Sequence, residues 1–238
     1  MTKSAPKRWR RVRLLLPALA IALCACVRLG PPPPGVSYQA DVRVEVVDPD
    51  GERRPVEQLT EFYARGLRRR QATIEGHDLV VIDRPDLAVT WILDPAAEAF
   101  EELWLRSSEV DAFLTPDPFG PRMEGRFREA GVDEIEGRTA RRFDVEGDRV
   151  RGVAWISMDG VPVRFEGEVE RRDGASTVRI DYGEVQRGPQ AAYLFAIPPN
   201  YAGYEDRKRR TKERRDDGIE HAIRRLRDER EWRPTNIK

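Results

Sequence analysis

The sequence predicts a mainly β fold built on an antiparallel sheet. In Val161–Glu170 and Val178–Tyr182, apolar and polar residues alternate with a period of two, which places the apolar side chains on one face of a strand. Asp-Gly pairs such as Asp159-Gly160 lie beside these runs, and this pair between alternating segments is a strong hairpin signal. Strands with one polar face are typical of antiparallel sheets, so we expect successive hairpins.

The expected elements are roughly nine to eleven strands in a meander, with one short helix among them. The helix is expected over Arg106–Leu114, because Ser107 or Ser108 can cap it and the apolar residues that follow have helical spacing. The strands are expected at Asp41–Val46, Leu59–Ala64, Leu67–Ile74, Leu79–Ile82, Ala88–Leu93, Ala99–Leu105, Phe127–Ile135, Arg138–Val145, Val153–Ile156, Val161–Glu170 and Val178–Tyr182.

Residues 1–25 are predicted to be an export signal. Six basic residues and no acidic residue precede an apolar run that starts at Leu14. The run extends to Val27, about 14 residues, whereas a transmembrane helix needs about 20, and Pro17 lies inside it. A signal peptide therefore explains the segment better than a permanent span. The alternatives are an uncleaved N-terminal anchor and a soluble secreted protein.

The end of this segment resembles the lipobox of bacterial lipoproteins. A lipobox has an aliphatic residue three positions before the modified cysteine and a small residue directly before it, and Leu23 and Ala25 hold these positions relative to Cys26. Cys24 fits less well, because Leu23 would take the place of the small residue. The resemblance implies cleavage after Ala25 and lipidation of Cys26 with palmitate-type acyl chains. Several chains on one residue anchor a protein stably.

The rest of the chain divides into a linker, one domain and a tail. Residues 26–36 contain the lipidated cysteine and four consecutive prolines, which favour an extended, semi-rigid spacer. Residues 37–204 are long enough for one domain with its own core. The tail, residues 205–238, is predicted to be a charged helix with a narrow apolar stripe. Three interpretations of the tail remain open: a solvated helix, a segment that binds anionic lipid, and a partner-binding helix.

Charge and composition exclude several function classes. Removal of the signal leaves 36 basic and 42 acidic residues, a formal charge of −6, which argues against nucleic-acid binding by the domain. No lysine lies between Val27 and Arg207, so Schiff-base enzymes and phosphate-loop hydrolases are excluded. Histidine and cysteine are not spaced as metal ligands, and no serine lies in a nucleophile elbow. We therefore expect a non-enzyme without cofactor or metal.

The order of motifs along the domain resembles the outer-membrane lipoprotein-sorting (Lol-type) half-barrel superfamily. In that family a glycine followed six residues later by an aromatic residue precedes an aromatic strand, a D-G-x-P turn and a closing F-x-x-P element. The corresponding residues here are Gly137–Phe143, Trp155, Asp159–Pro162 and Phe195–Tyr201, in that order. The resemblance covers Ser37–Tyr204 and identifies the chain as an exported lipoprotein relative of that superfamily. It implies a curled antiparallel sheet, an open half-barrel, with a small covering helix over an apolar concave face.

Aromatic residues and a run of arginines are the candidates for ligand binding. The candidate ligand-binding residues are Trp91, Trp104, Trp155 and Phe165, and the alternative is that these aromatic side chains belong to a filled core. Consecutive arginines at 68–70 suit either an anionic head group or solvated ion pairs.

Two functions are therefore expected. The first is a cell-envelope lipoprotein that binds lipid or lipoprotein acyl chains, in lipoprotein or lipid sorting. The second is a structural or interaction lipoprotein with a filled core, which recruits an envelope protein through its tail. We expect membrane attachment through Cys26, facing the periplasm. Val27 replaces the aspartate that retains lipoproteins at the inner membrane of enteric bacteria, which favours the outer membrane.

Overall fold

The computed structural model describes residues 27–74, 76–105, 117–121, 125–171 and 174–204. The predicted signal peptide with Cys26, the predicted helix Arg106–Leu114 and the predicted tail helix lie outside the described residues. The described part of the chain contains thirteen strands and one 3₁₀ helix, Ala192–Phe195. The strands are β1 (Val27–Leu29), β2 (Tyr38–Val47), β3 (Glu57–Ala64), β4 (Leu67–Ile74), β5 (His77–Arg84), β6 (Val89–Asp94), β7 (Ala99–Trp104), β8 (Arg126–Ile135), β9 (Arg138–Glu146), β10 (Val150–Ser157), β11 (Pro162–Arg171), β12 (Gly174–Arg187) and β13 (Ala202–Gly203).

All thirteen strands form a single open sheet. Its order is β1-β8-β9-β10-β11-β12-β2-β3-β4-β5-β6-β7-β13, so two meanders, β2–β7 and β8–β12, are joined by the pairing of β12 with β2. Every pairing is antiparallel except the short contact of β13 with β7. The predicted curled antiparallel sheet is confirmed, because hairpins connect consecutive strands within each meander and β1 and β13 form two separate edges.

One face of the sheet carries the larger core, and we call it the inner face. In β2 the alternating residues from Tyr38 to Val46 are buried, and their cross-strand neighbours on β12, such as Val178 and Ile180, lie on the same face. Phe127 on β8 and Phe143 on β9 extend this core toward the β1 edge. The alternation in the sequence arises because each of these strands turns one row of side chains toward this core.

A pair of glycines allows two strands to approach closely beneath an aromatic ring. Gly152 on β10 lies directly opposite Gly167 on β11. A Cβ on Gly167 would lie 2.7 Å from the Cα of Gly152 and 2.8 Å from Cζ of Phe165, and it would also collide with the carbonyl oxygen of Arg151. The ring of Phe165 therefore occupies the space that side chains at the two glycines would fill.

The opposite, outer face carries a second core where β5 and β6 lie. Val80, Ile82 and Leu93 are buried there, together with Phe195 of the 3₁₀ helix. Residues 192–201, which we call the C-terminal strap, are held by hydrogen bonds from Nη1 of Arg69 and of Arg84 to backbone carbonyl oxygens, at 3.0 Å each. The expectation that apolar side chains cover only one face is wrong for β5 and β6, because the strap buries their second face.

The proline segment, residues 30–35, lies on the domain. The backbone N–H of Gly30 donates to the carbonyl of Gly125 and that of Gly35 to the carbonyl of Asp159, both at 2.8 Å. Gly160 packs so closely on the backbone that its Cβ would lie 2.8 Å from the carbonyl oxygen of Pro33. The segment predicted to be a semi-rigid spacer therefore packs on the domain, because β1, which precedes it, pairs with β8.

Candidate functional site

A cavity of about 440 Å³ lies where the proline segment meets the inner face, and we call it the proline cavity. Its volume falls in the range of small-molecule pockets. Apolar and aromatic groups form most of its wall. The described residues that line it are Gly30, Pro31, Pro32, Pro33, Pro34, Tyr38, Tyr63, Gly66, Arg68, Phe119, Gly120, Pro121, Gly125, Ile156, Gly160 and Pro162.

Three aromatic side chains shape this wall. Tyr38 begins β2 and Tyr63 lies near the end of β3, and because they are cross-strand partners their rings stack, with centroids 5.4 Å apart. Phe119 comes from the connection between β7 and β8. It packs edge-on against Phe165 and Tyr182 of the inner face, at 6.5 and 5.7 Å between ring centroids. Residues 117–121 therefore lie over the inner face beside the cavity.

Arg68 carries the only charged side chain among the described residues that line the cavity. It is 4% exposed, and its Nε donates to Oε2 of Glu61 at 2.7 Å. Its Nη2 donates to the hydroxyl of Tyr182 at 2.7 Å and lies 2.5 Å from Oδ2 of Asp117. On the far side of Glu61, the hydroxyl of Tyr38 donates to Oε1 at 2.6 Å. The guanidinium is thus held by two carboxylates and the hydroxyl of Tyr182, and Tyr38 holds the carboxylate of Glu61.

The buried charges continue along the inner face from Arg68 to Arg70. Nη1 of Arg70 lies 3.9 Å from Asp117 and its Nη2 lies 3.8 Å from Asp83, which also accepts a hydrogen bond from Thr90. Arg68 and Arg70 share a face because strand positions alternate, while Arg69 points to the strap on the other face. The interpretation of these arginines as solvated ion pairs is wrong: two of them form ion pairs inside the core.

Burial and neighbouring charges shift the pKa of four groups in this cluster: Glu61, Tyr38, Tyr182 and Arg68. Burial raises the pKa of Glu61, because a charged carboxylate loses its hydration, although the charge of Arg68 opposes the shift. Burial likewise raises the pKa of the Tyr38 and Tyr182 hydroxyls. For Arg68, burial lowers the pKa, but the charges of Asp117 and Glu61 more than reverse this, so its pKa is raised and it stays a cation.

The raised pKa of Glu61 predicts a pH dependence of stability. Folded protein holds this proton more tightly than unfolded protein, so the stabilisation from protonating Glu61 is complete below the unfolded pKa, about 4.5, and is lost as pH rises through the folded pKa. We expect wild type to lose stability relative to Glu61→Gln as pH increases above about 4.5. Urea unfolding of both proteins from pH 4.5 to 8 measures this, and an identical pH slope in both would contradict it.

The structure separates the four aromatic residues that the sequence suggested for ligand binding. Phe165 lies buried on the inner face and touches Phe119, a lining residue. Trp91 packs in the outer core, where its Nε1 donates to Glu102. Trp155 lies on the outer side of β10 and donates to Asp133, and Trp104 is 77% exposed at the end of β7. Only Phe165 is next to the proline cavity.

Sequence reasoning missed the residues that shape the cavity, chiefly Tyr38, Tyr63 and Phe119. The alternation of β2 extends back to Tyr38, ahead of the predicted start at Asp41, whereas Phe62–Ala64 are consecutive apolar residues that do not show which face Tyr63 lies on. A usable signal was the spacing of Arg68 and Arg70, which places two charges on one strand face next to an apolar residue, Ala72. Two charges on a face that is otherwise apolar indicate a buried ion-pair site.

A wider hollow of about 1040 Å³ lies on the outer face across β2–β5 and β12. Its wall is mainly polar, and its charged side chains bind one another, as in the pairs Arg43–Glu45 at 2.9 Å and Arg179–Asp181 at 2.7 Å. The proline cavity is the better ligand site because its wall is more apolar and more enclosed.

Within the described ranges, no group of three histidine, cysteine or acidic side chains is placed to hold a metal ion. No helix in the same ranges is both long and apolar enough to span a bilayer.

Solved structures with similar folds were found by structural comparison. The LolA superfamily protein NE2245 from Nitrosomonas europaea matches 68% of this chain and 91% of its own, with 11% identity and a TM-score of 0.42. An uncharacterized conserved protein from Thermus thermophilus matches 71% of this chain and 91% of its own, with 12% identity and a TM-score of 0.43. A domain from Vibrio parahaemolyticus named for outer membrane lipoprotein sorting matches 67% of this chain and 89% of its own, with 8% identity and a TM-score of 0.33. No protein-family model and no curated protein matches the chain.

Proposed function

We propose that this chain is a cell-envelope lipoprotein that binds the acyl chain of a lipid or of another lipoprotein in the proline cavity. The observation that carries the proposal is the cavity of about 440 Å³, whose wall is formed by prolines, stacked tyrosines and Phe119. Each methylene that such a wall removes from water contributes about 0.8 kcal/mol. A chain of several methylenes is therefore bound without any specific polar contact.

The position of the cavity supports binding close to a membrane. Gly30, the first lining residue, follows Cys26 by four positions, and an extended chain spans at most about 3.3–3.6 Å per residue. The wall of the cavity thus begins within about 15 Å of the proposed lipid anchor. A cavity at this distance receives its ligand from the membrane to which the protein is attached, with the domain on the periplasmic side.

A substitution at the rim of the cavity tests this function. Pro121 lines the cavity but is itself exposed, so Pro121→Trp narrows the cavity without changing the core. We expect wild type to retain acyl lipid through purification and the variant to retain less than about one fifth of it. Mass spectrometry of lipid extracted from equal amounts of protein measures this, and the intact mass of the protein shows whether Cys26 carries acyl chains.

The matched control is Leu87→Trp, which adds the same side chain to an exposed turn between β5 and β6. We expect this control to retain as much lipid as wild type. Wild type without extractable lipid would contradict the proposal and favour the alternative of a filled core. Equal lipid in wild type and Pro121→Trp would place the ligand elsewhere.

A further inference from the structure

One hydrogen-bond donor in the wall of the proline cavity, Nη1 of Arg68, has no acceptor among the described residues. Nε and Nη2 of Arg68 are engaged by Glu61, Tyr182 and Asp117, whereas its Nη1 has no hydrogen-bond partner in the described part of the chain. Native proteins satisfy nearly all buried donors, and an exception calls for an explanation such as a bound group. Arg68 is almost fully buried and lines the proline cavity, so the natural acceptor is an oxygen atom of the ligand.

The surroundings of Arg68 determine what charge that oxygen can carry. The described cluster contains two guanidiniums, Arg68 and Arg70, and three carboxylates, Glu61, Asp83 and Asp117. Its positive charges are therefore already matched, and Oδ2 of Asp117 lies only 2.5 Å from Nη2 of the same guanidinium. An anionic head group at Nη1 would meet this carboxylate at close range, where like charges repel strongly. An uncharged carbonyl oxygen accepts the hydrogen bond without that repulsion.

Gly120 controls the approach to this donor. It lies over Nη1, and a Cβ at this position would be 3.1 Å from Nη1 and 3.2 Å from the carbonyl oxygen of Asp117. Gly120 lines the cavity and has no side chain. Because Nη1 is buried, a ligand oxygen reaches it only if the backbone of Gly120 shifts, and a methyl group here would fill the space that the oxygen needs.

We propose that the proline cavity selects acyl chains that end in an uncharged ester or amide carbonyl, and that this oxygen accepts a hydrogen bond from Nη1 of Arg68. This inference rests on the proposed function and adds the chemical class of the ligand. Acylglycerols and acylated amines are bound, and free fatty acids, whose carboxylate is ionised at neutral pH, are discriminated against.

The test compares two ligands with the same chain. Delipidated full-length protein is titrated calorimetrically with monolauroyl glycerol and with sodium laurate at pH 8, both below micelle formation. We expect the ester to bind at least tenfold more tightly than laurate. Gly120→Ala is expected to weaken ester binding at least fivefold and to change laurate binding less than twofold. The control is Gly183→Ala, where the nearest heavy atom to the new methyl group is 3.5 Å away and both affinities should stay as in wild type.

A second measurement does not depend on any variant. The infrared carbonyl band of ¹³C-labelled monolauroyl glycerol should move to lower frequency on binding to wild type, because a hydrogen bond weakens the C=O bond. Laurate that binds as tightly as the ester, or a carbonyl band that does not move, would overturn this inference while the proposed function stands. If neither ligand binds wild type, both the inference and the proposed function are overturned.

Discussion

Replacement of Arg68 by methionine is expected to lower the free energy of unfolding by about 3–5 kcal/mol. Methionine keeps much of the apolar stem but removes the guanidinium that compensates Glu61 and Asp117, both of which are buried. Loss of one partner from a buried ion pair leaves an uncompensated charge in the core, and this typically costs about 3–5 kcal/mol. Since whole proteins are stable by only about 5–15 kcal/mol, chemical unfolding at pH 7 should show a large decrease in the midpoint.

The matched control is Arg151→Met. Arg151 pairs with Glu168 at 2.5 Å, but its side chain is 74% exposed, so solvent compensates the charge that remains. We expect a change below about 1 kcal/mol. Adding Glu61→Gln to Arg68→Met should restore part of the loss, because one of the buried charges is then removed. A loss below about 1 kcal/mol in Arg68→Met would show that the cluster is hydrated.

Gly167→Ala is expected to destabilise the fold by about 3 kcal/mol. The new methyl group would collide with the carbonyl oxygen of Arg151 and would approach the Cα of Gly152 to 2.7 Å, and neither backbone atom can move without separating β10 from β11. Overpacking in a core usually costs about 1–3 kcal/mol, and contacts with backbone belong at the upper end. Urea unfolding of variant and wild type gives the difference.

The control for this prediction is Gly183→Ala on β12, where the added methyl group would make an ordinary contact of 3.5 Å with the carbonyl oxygen of Asp41. We expect its stability to stay within about 0.5 kcal/mol of wild type. A further comparison is Phe165→Leu in the Gly167→Ala background, which gives the methyl group more room. If Gly167→Ala alone is as stable as Gly183→Ala, the close approach of β10 and β11 does not limit the size of residue 167.

Most strands were predictable because their alternation is set by a core on one side. β4 was predicted with the bounds that the structure shows, and β3 within two residues. β12 was recognised only at Val178–Tyr182, because a bulge after Tyr182 shifts the register and ends the alternation before the strand ends. β1 and β13, of three and two residues, were not predicted, since strands so short are defined by their partner and not by their own pattern.

The candidate site was less predictable, because alternation shows that two faces differ but not which one is buried. In β4 one row holds Arg68 and Arg70 beside Ala72, and the other row holds Arg69, so charge falls on both faces and the arginines suggested a solvated surface. Only tertiary pairing with Glu61 and Asp117, 7 and 49 residues away in sequence, allows them to be buried. The wall of the cavity likewise combines residues from the proline segment, β2, β3 and the β7–β8 connection.

The position of the proline segment has a mechanical consequence. Residues 30–34 form a wall of the cavity, and they directly follow β1, which begins one residue after Cys26. They are held by the three residue pairs of β1 with β8 and by the hydrogen bond from Gly30 to Gly125. Mechanical tension on an anchor at Cys26 would therefore load these contacts first. If Cys26 carries the proposed anchor, a force that pulls the domain away from the membrane would separate β1 from β8, open this side of the cavity and release a bound acyl chain.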